Sequence, residues 1–300
     1  MVSPLRRVFL RDGALTIGIA PECGGSITHF DFRLHDTIVH ILRPAVEPRA
    51  GSQCALGASS FVLVPYGGRL REGQFTFDGR NYRLPLNALP ERHTSHGDGW
   101  TRPWVLTHLD RRTAVMALEP DASAPLPYHC TQTVSIRADR VQIELSVRNA
   151  GIHRMPVGLG LHPYFANRSL ATVKANMPVR WLWDHEMMPL STERNPFTAS
   201  LLRGRNVSRL PIAAEYADWD GRAMIDWPTQ RVRVQLTTDP PLKHVVMWIP
   251  GGESFFCFEP ISHATDALND YPAHPSGEDF VFLQPGASCN QLFDFCVSAY

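Results

Sequence analysis

Apolar and polar residues alternate with a period of two along much of the chain. The alternation is clear in 141–148 and again in 232–236. Successive side chains of a β-strand point to opposite faces of a sheet, so this pattern predicts strands with one buried face. Continuous apolar runs at 245–249 and 255–258 predict strands that are covered on both faces.

Turn residues separate the predicted strands. Asp78-Gly79 stands between the strand patterns 75–77 and 82–84, which predicts a hairpin. The helical period is absent except for one short turn of helix expected at 266–270. We therefore predict an all-β fold, a large twisted antiparallel β-sandwich with few short helices, in a single domain over residues 1–300.

Charge and composition limit the partners. The chain has 29 Lys+Arg and 29 Asp+Glu, and this balance argues against nucleic acid or an anionic membrane as the main partner. No apolar run approaches the ~20 residues of a membrane helix, and Arg11 and Asp12 interrupt the first apolar segment before it could act as a signal peptide. The six cysteines form no CxxC pair. We therefore expect a soluble, cytoplasmic protein with reduced, buried thiols.

Glu259 is the first candidate for chemistry. It follows the apolar run 255–258 and precedes Pro260. An apolar setting raises the pKa of a carboxyl group toward neutrality, which suits a general base working at neutral pH. The alternative is a strand-end carboxylate that is paired with an arginine or accepts backbone N–H bonds.

Two histidines complete a set of proton-moving groups. His162 lies between a glycine-containing segment and Pro163-Tyr164, and His96 lies in a polar, glycine-rich loop in which His93 could compete for the same role. Two imidazoles and one carboxylate can perform acid–base chemistry without a metal or cofactor. A third ligand at metal-like spacing is missing near His93 and His96, so we predict no zinc site.

Further residues could hold a ligand. Arg69 lies in a glycine-rich loop, and its guanidinium suits sugar hydroxyls or a carboxylate, although an ion pair with Glu72 or Asp78 is an equal alternative. Trp100 and Trp104, beside the His96 loop, and Tyr164, beside His162, offer rings on which a sugar could stack.

These segments together resemble the aldose 1-epimerase (mutarotase) family. The matching stretches, in chain order, are 63–86 with Arg69, His96-Gly97 followed by Arg102-Pro103-Trp104, Gly160-Leu161-His162-Pro163-Tyr164-Phe165, Trp219-Asp220-Gly221-Arg222-Ala223, Glu259-Pro260 and 283–286. The resemblance implies a galactose mutarotase-like sandwich, a monosaccharide substrate and no cofactor. It also implies that Glu259 takes the proton of the C1 hydroxyl, that His162 protonates the ring oxygen, and that His96 hydrogen-bonds that oxygen.

The resemblance has one departure that concerns the substrate. Where many family members carry a substrate-binding Asp, this chain has Ala213, with Glu215 and Asp218 nearby as possible substitutes. Two other functions stay open. One is a non-catalytic sugar-binding or regulatory protein on the same fold. The other is a hexose-6-phosphate 1-epimerase, for which Arg69 and Arg71 would be the phosphate ligands.

Overall fold

The computed structural model describes residues 6–46, 53–270 and 280–300, and strands dominate it. The first strands are β1 (Val8–Asp12), β2 (Leu15–Ala20), β3 (Ser26–Leu34), β4 (Thr37–His40), β5 (Val62–Leu63), β6 (Arg69–Leu70), β7 (Gln74–Phe77), β8 (Arg80–Arg83), β9 (Thr94–Ser95), β10 (Val105–Leu109), β11 (Thr113–Leu118), β12 (Tyr128–Arg137) and β13 (Arg140–Asn149). The later strands are β14 (Met155–Val157), β15 (Gly160–Leu161), β16 (Tyr164–Phe165), β17 (Thr172–Ala175), β18 (Val179–Trp183), β19 (Pro189–Glu193), β20 (Arg205–Asn206), β21 (Ala213–Ala217), β22 (Arg222–Trp227), β23 (Val232–Asp239), β24 (His244–Trp248), β25 (Phe256–Ile261), β26 (Val281–Leu283) and β27 (Ser288–Ala299).

Helices are short. The α-helices among the described residues are α1 (Pro196–Ser200) and α2 (Ala267–Asp270), and single 3₁₀ turns occur at Cys54–Gly57, Arg71–Gly73, Leu201–Arg203 and Val207–Arg209. The helical turn expected at 266–270 is confirmed as α2. No helix in the described ranges is long and apolar enough to cross a membrane.

Two large antiparallel sheets form the sandwich. One has nine strands in the order β10-β11-β12-β13-β27-β23-β22-β17-β20, and the other has the order β19-β18-β21-β24-β25-β15-β5 with β16 paired to β25. Apolar side chains from both sheets form one continuous core. A smaller sheet, β1-β2-β3-β4, and the pairs β14-β26, β6-β9 and β7-β8 complete the fold. The predicted all-β sandwich is confirmed.

The predicted hairpin at Asp78-Gly79 is also confirmed. Phe77 of β7 pairs directly with Arg80 of β8, and Asp78 and Gly79 have φ angles of 50° and 70°. A two-residue loop with positive φ at both central positions matches the right-handed twist of the flanking strands, which is why Asp-Gly favours it.

The apolar runs form β24 and β25 as predicted, but only β25 is covered on both faces. All six residues of β25 are buried, whereas Val246 and Trp248 of β24 are half-buried. Phe256 and Phe258 of β25 face the core between the sheets. Cys257 lies in a second apolar cluster, so the opposite face of this sheet is a distinct environment.

The expectation that all cysteines are reduced is wrong for one pair. Cys23 and Cys54 form a disulfide with a Cα–Cα distance of 5.7 Å, within the usual range for a bridge. The other four are free thiols, of which Cys130 and Cys257 are buried as expected, whereas Cys289 and Cys296 are half-buried. A disulfide is typical of oxidising compartments, so the cytoplasmic location stays a prediction.

Candidate functional site

Glu259 lies on the sheet face that opens toward a cavity. It is in register with Val246 of β24, and both residues line a cavity of about 640 Å³. Alternation along β25 sends Phe258 into the core and Glu259 to the opposite face, as the period of a strand requires. Glu259 is only 2% exposed, so its carboxyl group is reached only through the cavity.

His162 stands beside this carboxyl group. It occupies the corner between β15 and β16, where its backbone N–H donates to the Phe61 carbonyl at 2.9 Å. Its Nε2 lies 3.3 Å from Glu259 Oε1. The rings of Phe61 and Tyr164 stack on the imidazole, with centroids 4.5 Å and 4.7 Å away. The two rings limit how the imidazole can turn and hold Nε2 toward Glu259.

His96 approaches from the neighbouring loop. Its φ is 65°, an uncommon value for a residue with a side chain, and it is maintained by surrounding contacts. The His96 backbone N–H donates to the Gly68 carbonyl, and the Gly68 N–H donates to His96 Nδ1 at 3.2 Å. Because Nδ1 accepts a hydrogen bond, the neutral ring carries its proton on Nε2 and can donate it.

The three groups converge. Ligand-capable atoms of His96, His162 and Glu259 all lie within 4.8 Å of one another, and the two imidazole rings meet edge to face with centroids 5.3 Å apart. Such a set can donate and accept protons at adjacent atoms of one small molecule. Two imidazoles and a carboxylate are also a donor set that zinc can use.

Burial shifts all three pKa values toward the neutral forms. It raises the pKa of Glu259 well above the usual carboxyl value, although Arg69 acts in the opposite direction. It lowers the pKa of His162 well below 6.5. Burial and the neighbouring Arg69 charge lower the pKa of His96 from 6.5 to about 3. Perturbed groups that cluster in a cavity indicate a functional site.

Arg69 also lines the cavity. Its strand β6 pairs with β9, with Arg69 opposite Ser95, so it belongs to the same local unit as His96. Its Nη1 contacts Met187 Sδ at 3.7 Å. The alternative ion pairs are wrong, because Glu72 pairs with Arg92 and Asp78 with Arg154. The Arg69 guanidinium therefore remains available to a ligand.

Not every predicted residue reaches the cavity. Tyr164 does line it, but His162 and Arg43 already lie against its ring, so the expectation that a sugar stacks on Tyr164 is wrong. Trp100 and Trp104 are 1% and 2% exposed and lie outside the lining. The expectation that a sugar stacks on Trp100 or Trp104 is therefore corrected. The Trp100 Nε1–H donates to the Ser95 and Gly97 carbonyls, so Trp100 stabilises the backbone of the His96 loop on either side of His96.

His93 does not join the site either. It is buried, its Nδ1 accepts the Glu72 backbone N–H at 3.1 Å, and its Nε2 lies 3.6 Å from Glu186. These contacts place it in the support of the loop rather than in the cavity.

The two acidic residues near Ala213 are also away from the lining. Asp218 is exposed and paired with Arg194. Glu215 is fully buried and accepts the Thr265 backbone N–H at 3.0 Å. Glu215 and Glu259 pair with the same residue, Val246, and the Glu215 charge helps to raise the pKa of Glu259. Glu215 thus acts on the site through Glu259.

Sequence reasoning missed Phe61 and Arg43. Phe61 lies beneath His162 and stacks on Trp100 as well. Arg43 lines the cavity with its guanidinium carbon 3.8 Å from the Tyr164 ring centroid. Neither lies in a recognisable motif, and the contacts that bring them to the site, with His162 for Phe61 and with Tyr164 for Arg43, are more than a hundred residues away along the chain.

Comparison with known proteins gives the family. The family model for aldose 1-epimerase matches residues 7–295. The uncharacterized protein YphB of Escherichia coli (strain K12) is 29% identical over 288 residues, which cover 93% of this chain and 94% of YphB. Galactose mutarotase of Rattus norvegicus is 27% identical over 189 residues, which cover 55% of this chain and 52% of the rat protein.

Solved structures agree on the fold. A protein of Escherichia coli K12, provisionally named an aldose 1-epimerase, superposes with a TM-score of 0.89 at 27% identity over 99% of this chain and 100% of its own. A galactose mutarotase-like protein of Clostridium acetobutylicum gives a TM-score of 0.85 at 18% identity over 99% and 96%. Since the family model spans nearly the whole chain, this protein belongs to the aldose 1-epimerase family.

Proposed function

We propose that this protein is an aldose 1-epimerase that interconverts the α and β anomers of an aldose by acid–base ring opening and reclosure. The observation that carries the proposal is the convergence of His96, His162 and Glu259 within 4.8 Å on the wall of one cavity. The reaction moves one proton away from the C1 hydroxyl and one onto the ring oxygen. Both oxygens are bonded to C1, so the donor and the acceptor must stand side by side.

The pair Glu259–His162 holds one mobile proton in this mechanism. Burial favours the neutral carboxyl group and the neutral imidazole at rest. Moving that proton across the 3.3 Å separation gives a carboxylate beside an imidazolium, two opposite charges that stabilise each other in a site of low dielectric.

Ring opening then returns the Glu259–His162 pair to its resting protonation state. The Glu259 carboxylate takes the proton of the C1 hydroxyl while the His162 imidazolium gives its proton to the ring oxygen, and the C1–O5 bond breaks to leave the aldehyde. After rotation about C1–C2, the same two groups run the transfers in reverse and close the ring on either face. His96 stays neutral and donates a hydrogen bond from Nε2 throughout. Arg69 binds hydroxyl groups of the sugar.

We expect His96→Ala to lower kcat/KM by about 10²-fold, the usual cost of losing one aligned donor. Any midpoint of the pH–rate profile between about pH 5 and 9 should stay in place, because burial lowers the pKa of His96 to about 3, outside that window. Initial rates from about pH 5 to 9 measure both quantities. A midpoint that moves with this substitution would show that His96 is itself the titrating group.

We expect removal of metal ions to leave turnover undiminished. The proposed transfers involve side-chain protons only, and no step needs a Lewis acid. Protein dialysed against EDTA should match untreated protein in anomerisation rate, with metal content followed by mass spectrometry. A loss of rate that Zn²⁺ restores would instead assign the three side chains to a metal.

The function itself can be tested by polarimetry. A freshly dissolved pure anomer of each of several aldoses changes its rotation with time, and catalytic amounts of protein should accelerate the change for at least one of them. Failure with every sugar, combined with measurable binding, would favour the sugar-binding alternative. A phosphate site built from Arg69 and Arg71 has little support, because Arg71 pairs with Asp266 at 3.2 Å and lies outside the cavity lining.

A further inference from the structure

Arg43 is a cavity residue that the proposed mechanism does not use. It follows β4, and its guanidinium carbon lies 3.8 Å from the Tyr164 ring centroid and 4.3 Å from that of Phe255. These two rings meet at 75°, so the guanidinium occupies the corner between them. Contact with aromatic faces holds an arginine in place without neutralising its charge.

Hydrogen bonds orient one edge of this guanidinium. Nε donates to the Ala58 carbonyl, and Nη2 donates to the carbonyls of both Ala58 and Leu56 at 3.1 Å and 2.6 Å. The Cys23–Cys54 disulfide ties down the turn that carries Leu56. Nη1 makes no hydrogen bond within the described residues, and its two N–H groups are left for a ligand.

The Arg43 charge has no close counterion among the residues that the structure describes. Within the ranges 6–46, 53–270 and 280–300, no carboxylate forms an ion pair with Arg43. Burial lowers the pKa of Arg43, while the Glu253 charge opposes this shift. A partly buried cation with unused donors that faces a binding cavity is the arrangement expected of a site for an anionic group.

The location of Arg43 relative to the proton-moving groups is informative. Tyr164 stacks on His162, and the Arg43 guanidinium lies on the Tyr164 ring. The Tyr164 ring therefore separates Arg43 from His162, and both residues line the same cavity. A sugar with C1 at Glu259 would therefore present a substituent of another ring carbon to Arg43.

We propose that Arg43 selects aldoses that carry a carboxylate, with Nη1 as the donor to that group; this rests on the proposed function for the orientation of the sugar. A carboxylate fits better than a phosphate because only the two Nη1 N–H groups are free, whereas a phosphate offers three acceptor oxygens and up to two charges. The exposed Glu253 at the same cavity would repel a dianion more than a monoanion.

The test measures anomerisation of D-glucuronate, D-glucose and D-glucose 6-phosphate, each corrected for its uncatalysed rate. The wild type should prefer glucuronate over glucose in kcat/KM by about tenfold or more, and Arg43→Gln should reduce this ratio by about 10- to 100-fold, the value of a charge-assisted hydrogen bond. Glu253→Gln, which replaces an exposed side chain, should raise the ratio by about two- to fivefold. This second variant tests the proposal even if Arg43→Gln does not fold.

Each outcome decides a separate point. Equal use of glucose and glucuronate, with a ratio that neither variant moves, overturns the role of Arg43 and leaves the epimerase intact. A preference for glucose 6-phosphate over glucuronate overturns the carboxylate assignment. If no sugar is accelerated, the proposed function fails. In that event saturation-transfer NMR competition between glucuronate and glucose supports Arg43 if glucuronate binds preferentially and this preference is lost in Arg43→Gln, and overturns it otherwise.

Discussion

Replacing Glu259 with glutamine should reduce turnover by about 10²–10⁴-fold, the usual contribution of a positioned acid–base group, while the sugar still binds. Glutamine has nearly the shape of glutamate, but it cannot take the C1 hydroxyl proton or share a proton with His162 across 3.3 Å. Initial rates and sugar titrations followed by NMR measure the two effects. Glu253→Gln is the matched control, since it removes an exposed carboxylate from the same cavity and should leave glucose turnover near the wild-type value.

Glu259→Gln should also unfold at a higher temperature than the wild type near pH 8. Burial raises the folded-state pKa of Glu259 above its ordinary 4.5, so stability from this group is present below the unfolded-state pKa and is lost as the pH rises through the folded-state pKa. Glutamine does not ionise and escapes this loss. The gain in Tm should shrink toward about pH 4.5, and a gain that does not depend on pH would contradict the buried-charge explanation.

Adding one methyl group at Gly97 should have the second large effect. Gly97 has a φ of +66°, and a Cβ there would lie 2.1 Å from the Val64 carbonyl oxygen and 2.6 Å from Pro65 Cδ. Neither neighbour is the end of a flexible side chain, so the backbone that carries His96 must move. A misplacement of about 1 Å at a reacting group can cost about 10²-fold, so kcat/KM for Gly97→Ala should fall by at least that factor.

Gly79→Ala separates the steric clash from the cost of positive φ. Gly79 has a φ of +70°, but its added Cβ would meet nothing within 4 Å. This variant should lose only the ~1–2 kcal/mol that a left-handed residue costs and should keep full turnover. Gly97→Ala should lose more, because overpacking adds about 1–3 kcal/mol. Equal losses of stability in denaturant titrations, with activity kept in both, would refute the close approach of Gly97 to Val64.

Local pattern predicted the features that depend on neighbours in sequence. The Asp78-Gly79 hairpin and β25 follow from turn chemistry and from a continuous apolar run, both of which act over a few residues. Glu259 and His162 were recognisable because an ionisable group next to an apolar or glycine-rich segment is unusual by itself. Helix α1 was not predicted, although the Asn195-Pro196 pair at its start is a helix-start signal in the sequence.

Features that depend on distant residues were not predictable in this way. The Cys23–Cys54 bridge joins positions 31 residues apart with no motif to pair them. The stacking of Phe61 on His162 and of Arg43 on Tyr164 depends on how β5, β15 and β16 meet. The predicted role of Trp100 was wrong because proximity to His96 in sequence does not indicate whether a ring faces the cavity or is buried behind its lining.

The central claim is that Glu259 and His162 exchange protons with the anomeric centre of an aldose, and exchange NMR tests it most directly. At equilibrium, magnetisation transfer between the α and β H1 signals measures interconversion of one sugar without any coupled enzyme. The wild type should produce exchange cross-peaks for its preferred aldose, and Glu259→Gln should lose them while it still broadens the sugar signals. Equal cross-peaks in both proteins, or none in the wild type with any aldose that binds, would contradict this mechanism.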